Sequence, residues 1–251
     1  MRSKEEQWIL EEKYKGKECP EFFRDLERLR LGEHVDTIIG FRDFLGCAIG
    51  LEHRPLIPRE ETENWAGKAI QEVGDKNVLC LDMFAGSGCI GIALLKHCAN
   101  ACVVFAEKEE RLLLQIKKNA ERNNILPKRY SIIRSDIFSN IKGTFDIIVT
   151  NPPYVAESAR HLVQESVLRS DPHEALFAGQ DGMDIICPFL QEAKQFLNPK
   201  GIIFMEFGED QKKEIERLSL NLGYEGVFFK DQFGKWRWCK LAMQNIVPMV
   251  T

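Results

Sequence analysis

The sequence of 251 residues contains no apolar run long enough to cross a membrane, no internal repeat and no low-complexity tract. It also has no excess of positive charge, because 38 acidic residues outnumber 34 Lys and Arg and give a formal net charge of −4. Phosphate contacts drive general nucleic-acid binding, so this balance argues against that role. The first residues carry no apolar signal core, and their acidic side chains argue against a transit peptide. We therefore expect a cytoplasmic monomer with no direct contact to nucleic acid or membrane.

The eight cysteines form no C-x-x-C pair, and the histidines show no nucleophile–base pattern. Cys80, Cys89, Cys98 and Cys102 fall in or beside predicted core strands and helices. Buried, reduced thiols are the favoured interpretation, and a zinc site is the less favoured one. We expect no metal.

A glycine-rich turn follows the first apolar, β-favouring run, residues 77–81. Gly86, Gly88 and Gly91 form G-x-G-x-x-G before an apolar segment with helical potential, which is the context that this motif requires. Gly86 and Gly88 would let the backbone turn tightly against a ligand, and Gly91 would allow close packing. The motif fits a nicotinamide dinucleotide as well as S-adenosylmethionine, and tight turns alone would also explain the glycines.

Acidic residues follow the next two predicted strands. Glu107 ends the run 101–106 and is placed to bind ribose hydroxyls. Asp136, after the run 130–134, suits an adenine amino group, with Ile137 beside the ring, although an Asx turn or a helix cap explains Asp136 equally well. The predicted cofactor-binding residues are Asp82, Phe84, Ala85, Gly86, Ser87, Gly88, Glu107, Asp136, Ile137 and Asn151.

The fourth predicted strand, residues 144–150, runs directly into Asn151-Pro152-Pro153-Tyr154. Two prolines disfavour helix, so the strand should end in a rigid, extended turn at the carboxyl edge of a sheet. The Asn151 amide oxygen and the Pro152 carbonyl would accept the two hydrogens of a planar NH2 group, while the Tyr154 ring covers its face. A plain strand-ending turn is the alternative, since Asn-Pro commonly initiates turns.

Together, the glycine-rich turn, the acidic residue after the second strand and Asn-Pro-Pro-Tyr after the fourth are typical of amino-group methyltransferases that use S-adenosylmethionine. A dehydrogenase has no need of Asn-Pro-Pro-Tyr there. From about Gly40 almost to the C-terminus, the chain closely resembles the HemK/PrmC family of release factor glutamine methyltransferases. Besides Asn-Pro-Pro-Tyr, the matching segments are 56–63 (Leu-Ile-Pro-Arg-Glu-Glu-Thr-Glu), 174–182 (Glu-Ala-Leu-Phe-Ala-Gly-Gln-Asp-Gly), 204–211 (Phe-Met-Glu-Phe-Gly-Glu-Asp-Gln) and 231–237 (Asp-Gln-Phe-Gly-Lys-Trp-Arg).

The resemblance implies an α/β fold: a seven-stranded Rossmann-like S-adenosylmethionine-dependent methyltransferase sheet with a small N-terminal helical domain. Residues 1–39 would be a helical substrate-docking segment, 40–62 a β-hairpin linker and 63–251 the methyltransferase domain. The implied substrate is the glutamine in the Gly-Gly-Gln motif of a class I peptide chain release factor, methylated on its side-chain amide nitrogen. The implied catalytic residues are Asn151, Pro152 and Tyr154, and the implied substrate-binding residues are these three with Pro153, Arg59 and Thr62.

The chain departs from the family pattern at several positions. Met83-Phe84-Ala85 replaces Leu-Gly-Thr, Glu107 replaces Asp, and Gln180 replaces a glycine. The segment before Gly40 is also shorter than the family's N-terminal domain. Two other functions stay open: a DNA or RNA base amino-group methyltransferase, which should carry a basic, aromatic-bearing recognition region, and a non-catalytic S-adenosylmethionine-binding scaffold, in which Asn151 and Tyr154 would not need to be retained.

Overall fold

The computed structural model describes residues 2–244, in which helices alternate with strands. The strands are β1 (Phe41–Phe44), β2 (Cys47–Gly50), β3 (Leu79–Met83), β4 (Cys102–Glu107), β5 (Tyr130–Arg134), β6 (Phe145–Thr150), β7 (Leu197–Glu206), β8 (Tyr224–Lys230) and β9 (Trp236–Met243). The α-helices are α1 (Lys4–Trp8), α2 (Pro20–Arg30), α3 (Val35–Ile39), α4 (Glu60–Val73), α5 (Cys89–His97), α6 (Glu110–Arg122), α7 (Glu165–Ser170), α8 (His173–Leu176), α9 (Ile186–Ala193) and α10 (Lys212–Asn221). Shorter turns are the π-helical Ile9–Lys13 and the 3-10 turns Pro127–Arg129, Glu157–Leu162 and Glu209–Gln211.

Strands β3 to β9 form the predicted seven-stranded sheet in the order β5-β4-β3-β6-β7-β9-β8. The strands from β5 to β7 in that order are parallel, whereas β9 pairs antiparallel with β7 and with β8. The chain enters this sheet at the interior strand β3, moves outward through β4 to the edge strand β5 and then returns to β6 on the other side of β3. The carboxyl ends of β3 and β6 therefore flank the topological switch point, where open α/β sheets bind ligands.

Apolar side chains cover both faces of the sheet. One cluster packs α4, α5 and α6 against it, and the other packs α9 and α10 against the opposite face. Strands buried on both faces read as nearly continuous apolar runs, which is why β3, β4 and β6 were recognisable in the sequence. Cys80, Cys89 and Cys98 are buried, as predicted, and Cys102 is half-buried.

The N-terminal helices have a small core of their own, formed by Ile9, Leu10, Phe22, Leu26, Val35 and Ile38. The first helical stretch of the predicted N-terminal segment is divided into α1 and the π-helical turn Ile9–Lys13. Helix α3 was not predicted, because its five residues are too few to show a helical period; it ends at Gly40, whose φ of 94° is left-handed. None of the helices in the described part of the chain is long and apolar enough to cross a membrane.

The predicted linker contains the hairpin β1–β2, which is antiparallel. Helix α4 then begins at Glu60, so the last three residues of the predicted linker, 60–62, already belong to this helix. Three acidic residues in its first turn stabilise this start through the helix dipole. The segment between β6 and α9 contains the short helices α7 and α8, which have six and four residues and are too short to show a helical period.

Candidate active site

A cavity of about 400 Å³ lies at the carboxyl ends of the central strands. This volume falls within the usual range for small-molecule sites, roughly 300–1,000 Å³. Its lining residues are Leu56, Phe84, Gly86, Glu107, Lys108, Glu109, Arg111, Leu112, Asp136, Asn151, Pro153, Pro172, His173, Glu174, Ala175, Phe177 and Ile185. The structure thus brings together six of the predicted site residues, namely Phe84, Gly86, Glu107, Asp136, Asn151 and Pro153. The other predicted residues lie outside the lining: Arg59, Thr62, Asp82, Ala85, Ser87, Gly88, Ile137, Pro152 and Tyr154.

The glycine-rich turn shapes one wall of the cavity. Gly88 has a φ of 78° and is the N-cap residue of α5. A Cβ on Gly91 would lie 2.4 Å from a ring atom of Phe105 and 2.9 Å from Asp82 Oδ2, so the third glycine of the motif permits close packing of α5 on the sheet. Phe84 also has a positive φ, 56°, although a side chain is disfavoured there. The family that this sequence resembles has glycine at this position, and glycine adopts such a backbone conformation more readily. The Phe84 ring packs edge-on against the ring of Phe189.

Glu107 lies at the end of β4 with 8% of its surface exposed. Its Oε2 accepts a hydrogen bond from the Gly86 N–H at 2.8 Å, and its Oε1 accepts one from the Glu109 N–H at 2.8 Å. Burial raises the pKa of this carboxyl, while the backbone donors act in the opposite direction. Each carboxylate oxygen has a further lone pair, so Glu107 retains acceptor capacity for hydroxyl groups in the cavity.

Asp136 lies after β5 and pairs with Lys108, whose Nζ is 2.8 Å from Asp136 Oδ2. Both side chains are largely exposed at the edge of the cavity. The next residue, Ile137, has a φ of 49° and packs against the core cluster that also contains Phe138. This wall therefore combines a carboxylate with an adjacent turn held against the core.

Asn151 lines the cavity at the end of β6, and a hydrogen-bonded neighbour holds its side chain. Its Nδ2 donates to Thr62 Oγ1 at 3.2 Å, and the Thr62 hydroxyl donates to Glu206 Oε2 at 2.7 Å. Thr62 is 2% exposed, so it lies behind Asn151. No hydrogen bond within residues 2–244 uses Asn151 Oδ1 or the Pro152 carbonyl as acceptor. Both acceptors are therefore without an internal partner, and Asn151 belongs to the cavity lining.

Tyr154 turns its hydroxyl away from the cavity lining. The hydroxyl donates to Glu206 Oε1 at 3.1 Å, and the Tyr154 hydroxyl oxygen accepts from Arg237 Nη1 at 3.5 Å. Burial and the neighbouring Glu206 carboxylate both raise the pKa of this phenol. Tyr154 is therefore a neutral donor to a buried carboxylate.

Gln211 fixes the backbone of the same turn. Its Nε2 donates to the carbonyls of Tyr154 and Gly182, each at 3.0 Å, while its Oε1 accepts from the Gly208 N–H at 2.9 Å. A Cβ on Gly182 would lie 2.2 Å from the Tyr154 carbonyl, so only glycine fits there. Three segments that carry the family resemblance thus meet at one point, although they are far apart in sequence.

Arg59 forms an ion pair with Asp171, whose side chain is fully buried. The Ile57 N–H also donates to Asp171 Oδ1, at 3.1 Å. These bonds hold the segment before α4 against Pro172 and His173, which line the cavity. Arg59 faces this buried partner outside the cavity lining.

Several residues near the cavity escaped the sequence analysis. Glu174 lies in a segment recognised by resemblance, and it forms an ion pair at 2.8 Å with Arg111, which also lines the cavity. Glu206 was also within a recognised segment but had no assigned role. Arg111 and Leu112 had no signal, because they lie on α6 and look like ordinary helix-surface and core residues. No group of three His, Cys, Asp or Glu side chains in residues 2–244 is arranged to hold a metal ion.

Comparison with solved structures gives the fold class. A ribosomal protein L11 methylase from Lactobacillus delbrueckii subsp. bulgaricus aligns with a TM-score of 0.58 at 16% identity, covering 77% of this chain and 83% of that chain. A methyltransferase from Pyrococcus furiosus aligns with a TM-score of 0.58 at 19% identity, covering 87% of this chain and 96% of that chain. Residues 68–180 also match the family described as methyltransferase small domain. The fold is therefore the Rossmann-like α/β fold of these methyltransferases, as predicted.

The sequence relatives define the family more narrowly. The release factor glutamine methyltransferase of Streptococcus pneumoniae (strain ATCC BAA-255 / R6) is 33% identical, covering 92% of this chain and 82% of the relative. The enzyme with the same name from Agrobacterium fabrum (strain C58 / ATCC 33970) is 34% identical, covering 79% and 70%. The chain belongs to the release factor glutamine methyltransferase family, and the resemblance found in the sequence is confirmed.

Asp82 should make the stability of this site depend on pH. Its Oδ2 accepts from the Gly91 N–H at 2.9 Å, whereas its buried Oδ1 has no partner within residues 2–244. Burial raises its pKa to about 8, compared with about 3.9 in an unfolded chain. Between these two values the native state binds more protons than the unfolded state, so the free energy of unfolding should fall as pH rises. We expect Asp82→Asn to show a smaller fall, measured by denaturant unfolding at pH 5 to 9.

The exposed Asp75 provides the matched control, because Asp75→Asn makes the same chemical change at the surface. If Asp82→Asn and Asp75→Asn showed the same pH dependence as the wild type, Asp82 would not hold a proton in the native state.

Proposed function

We propose that this protein transfers a methyl group from S-adenosylmethionine to the side-chain amide nitrogen of the glutamine in the Gly-Gly-Gln motif of a class I peptide chain release factor. The observation that carries this proposal is the cavity-lining Asn151, whose amide nitrogen is engaged and whose oxygen is available. The relatives named release factor glutamine methyltransferases support the same substrate.

The cavity fits S-adenosylmethionine in its chemistry. Glu107 offers carboxylate oxygens to ribose hydroxyls, and Asp136 offers an acceptor for an amino group at the next strand end. The cavity lining also includes the apolar side chains of Leu56, Leu112 and Phe177, which suit a planar base. Bound there, S-adenosylmethionine supplies an electrophilic methyl group.

The protein's task is to prepare a poor nucleophile. The lone pair of an amide nitrogen is delocalised into its carbonyl, so the nitrogen must be oriented and its developing positive charge stabilised. Asn151 Oδ1 and the Pro152 carbonyl accept the two N–H hydrogens of the substrate and place partial negative charge beside that nitrogen. Fixing both reactants in this geometry lowers the barrier without a strong general base. As the nitrogen–methyl bond forms, the methyl–sulfur bond breaks, and the methylated nitrogen then loses one of its two hydrogens as a proton to solvent. We propose that Tyr154 packs on the amide plane with its ring, where its π face also favours positive charge.

The decisive assay incubates the protein with radiolabelled S-adenosylmethionine and either an intact release factor or an oligonucleotide. Label in the release factor, lost when its Gly-Gly-Gln glutamine is replaced, is the expected result. Label in the oligonucleotide would favour a base amino-group methyltransferase, and label in neither would favour a non-catalytic scaffold.

Removing the Glu107 carboxylate should weaken cofactor binding. In Glu107→Ala the hydroxyl acceptor is lost, and a charge-assisted hydrogen bond contributes about 1.5–3 kcal/mol. Calorimetry with S-adenosylmethionine should therefore show a Kd raised by roughly one to two orders of magnitude in a folded variant. Unchanged affinity would remove Glu107 from the cofactor site.

The N-terminal segment, residues 1–39, is proposed to dock the protein substrate. Its Leu31 is 70% exposed, and the Leu31 carbonyl accepts from Arg169 at 3.3 Å on the segment that leads to the cavity. Leu31→Ser should raise KM for intact release factor by roughly five- to tenfold, in the range of about 1 kcal/mol for an interface contact. A short Gly-Gly-Gln peptide should be unaffected. Leu220→Ser on α10, 64% exposed, is the control; equal effects of the two variants on the intact factor would contradict docking at Leu31.

A further inference from the structure

One buried carboxylate connects both polar side chains of the Asn-Pro-Pro-Tyr turn. Glu206, at the end of β7, is 2% exposed. Its Oε2 accepts from Thr62 Oγ1 and from Trp65 Nε1, each at 2.7 Å, and its Oε1 accepts from the Tyr154 hydroxyl at 3.1 Å. Thr62 in turn accepts from Asn151 Nδ2 at 3.2 Å.

The direction of each hydrogen bond follows from what the groups can donate. The Trp65 indole N–H can only donate, so the Glu206 oxygen that faces it must accept. With Glu206 ionised, its oxygens can only accept, so the single hydrogen of the Thr62 hydroxyl is engaged by the same oxygen. Burial raises the pKa of Glu206, while the hydrogen bonds from Thr62, Trp65 and Tyr154 act in the opposite direction and favour the carboxylate. Thr62 therefore offers Asn151 only a lone pair, so the Asn151 atom facing Thr62 must be its NH2 group.

We propose that Thr62 and Glu206 are positioning residues, which hold the Asn151 carboxamide with its oxygen toward the cavity. This inference rests on the proposed function, in which that oxygen accepts a hydrogen from the substrate amide. A carboxamide turned by half a rotation would present N–H groups to the N–H groups of the substrate, and two donors repel each other. Glu206 thus acts on the reaction through Thr62, without touching the substrate.

The decisive variant is Thr62→Val, which keeps the shape of the side chain and removes its hydroxyl. We expect kcat to fall about tenfold, the factor supplied by one hydrogen bond near the upper end of the ordinary net range. The Kd for S-adenosylmethionine and the KM for the release factor should stay near wild-type values, because Thr62 lies outside the cavity lining. Thr62→Ser restores the hydroxyl and should recover most of the rate.

Thr150 provides a matched control for this substitution. It is fully buried, directly precedes Asn151, and its Oγ1 has no hydrogen-bond partner within residues 2–244. Thr150→Val makes the same chemical change without breaking a hydrogen bond, so its kcat should equal that of the wild type. A wild-type kcat in Thr62→Val, or an equal loss in Thr62→Val and Thr62→Ser, would overturn the proposal.

Nuclear magnetic resonance of cofactor-free protein labelled with 15N-asparagine tests the orientation without activity. One Asn151 side-chain amide proton should show the downfield shift of a hydrogen bond in the wild type and in Thr62→Ser, and lose it in Thr62→Val. Glu206→Gln should keep this shift, because Trp65 forces the glutamine oxygen toward itself and Thr62. Loss of the shift in Glu206→Gln, or its absence from the wild type, would overturn the assigned direction. If the wild type has the shift but methylates no Gly-Gly-Gln glutamine, the proposed function fails and the hydrogen-bond assignment stands.

Discussion

Replacing Asn151 by alanine should slow methyl transfer to a Gly-Gly-Gln-containing release factor by roughly a hundred- to a thousand-fold, the usual cost of losing one transition-state hydrogen-bond partner. S-adenosylmethionine should still bind nearly normally, because most of the cavity lining comes from other residues. Single-turnover transfer, with cofactor binding measured in parallel, separates these two effects.

Tyr154→Ala is the comparison within the same turn. Its rate should fall less, because the ring contributes packing and the hydroxyl is bonded to Glu206. If Asn151→Ala transferred methyl groups at the wild-type rate, Asn-Pro-Pro-Tyr would be only a strand-ending turn here, and the proposed mechanism would be wrong.

Replacing Arg59 by alanine should destabilise the protein by about 3–5 kcal/mol, the range for removing one partner of a buried ion pair. The cost arises because the Asp171 carboxylate is fully buried and would lose its charged partner, keeping only the Ile57 N–H as a donor. Denaturant unfolding at neutral pH should show a lower midpoint.

Arg217→Ala is the matched control, since Arg217 pairs with Glu214 at the surface, where both side chains are exposed. Surface pairs of this kind contribute about 0–1 kcal/mol. Equal stability losses in the two variants would mean that the Arg59–Asp171 ion pair contributes no more to the free energy of unfolding than a surface pair does. A wild-type stability of Arg59→Ala combined with a raised KM for release factor would instead favour the predicted substrate contact.

The fold and one wall of the site were predictable because the local sequence patterns there agree with the tertiary packing. Apolar runs marked β3, β4 and β6, and parallel strands of this kind are buried on both faces. Gly91 was interpretable because the close packing of a helix on a strand excludes a Cβ. The carboxyl ends of parallel strands meet at one edge, so Glu107, Asp136 and Asn151 could be placed around one cavity before their contacts were known.

The sequence alone thus determined which strands carry functional residues at their carboxyl ends, the class of reaction and the turn that contains Asn151. Only the tertiary structure decided how those side chains are held. In the sequence, Thr62 is 89 residues from Asn151 and 144 residues from Glu206. No periodic pattern predicts a contact between residues so far apart. The positive φ of Phe84 was also not predictable from the sequence, because local preferences disfavour a bulky residue in the left-handed region. Such a conformation persists only where the surrounding packing enforces it. Local preferences specify strands, turns and helices, whereas the return of the chain from β5 to β6 determines which distant polar groups share hydrogen bonds.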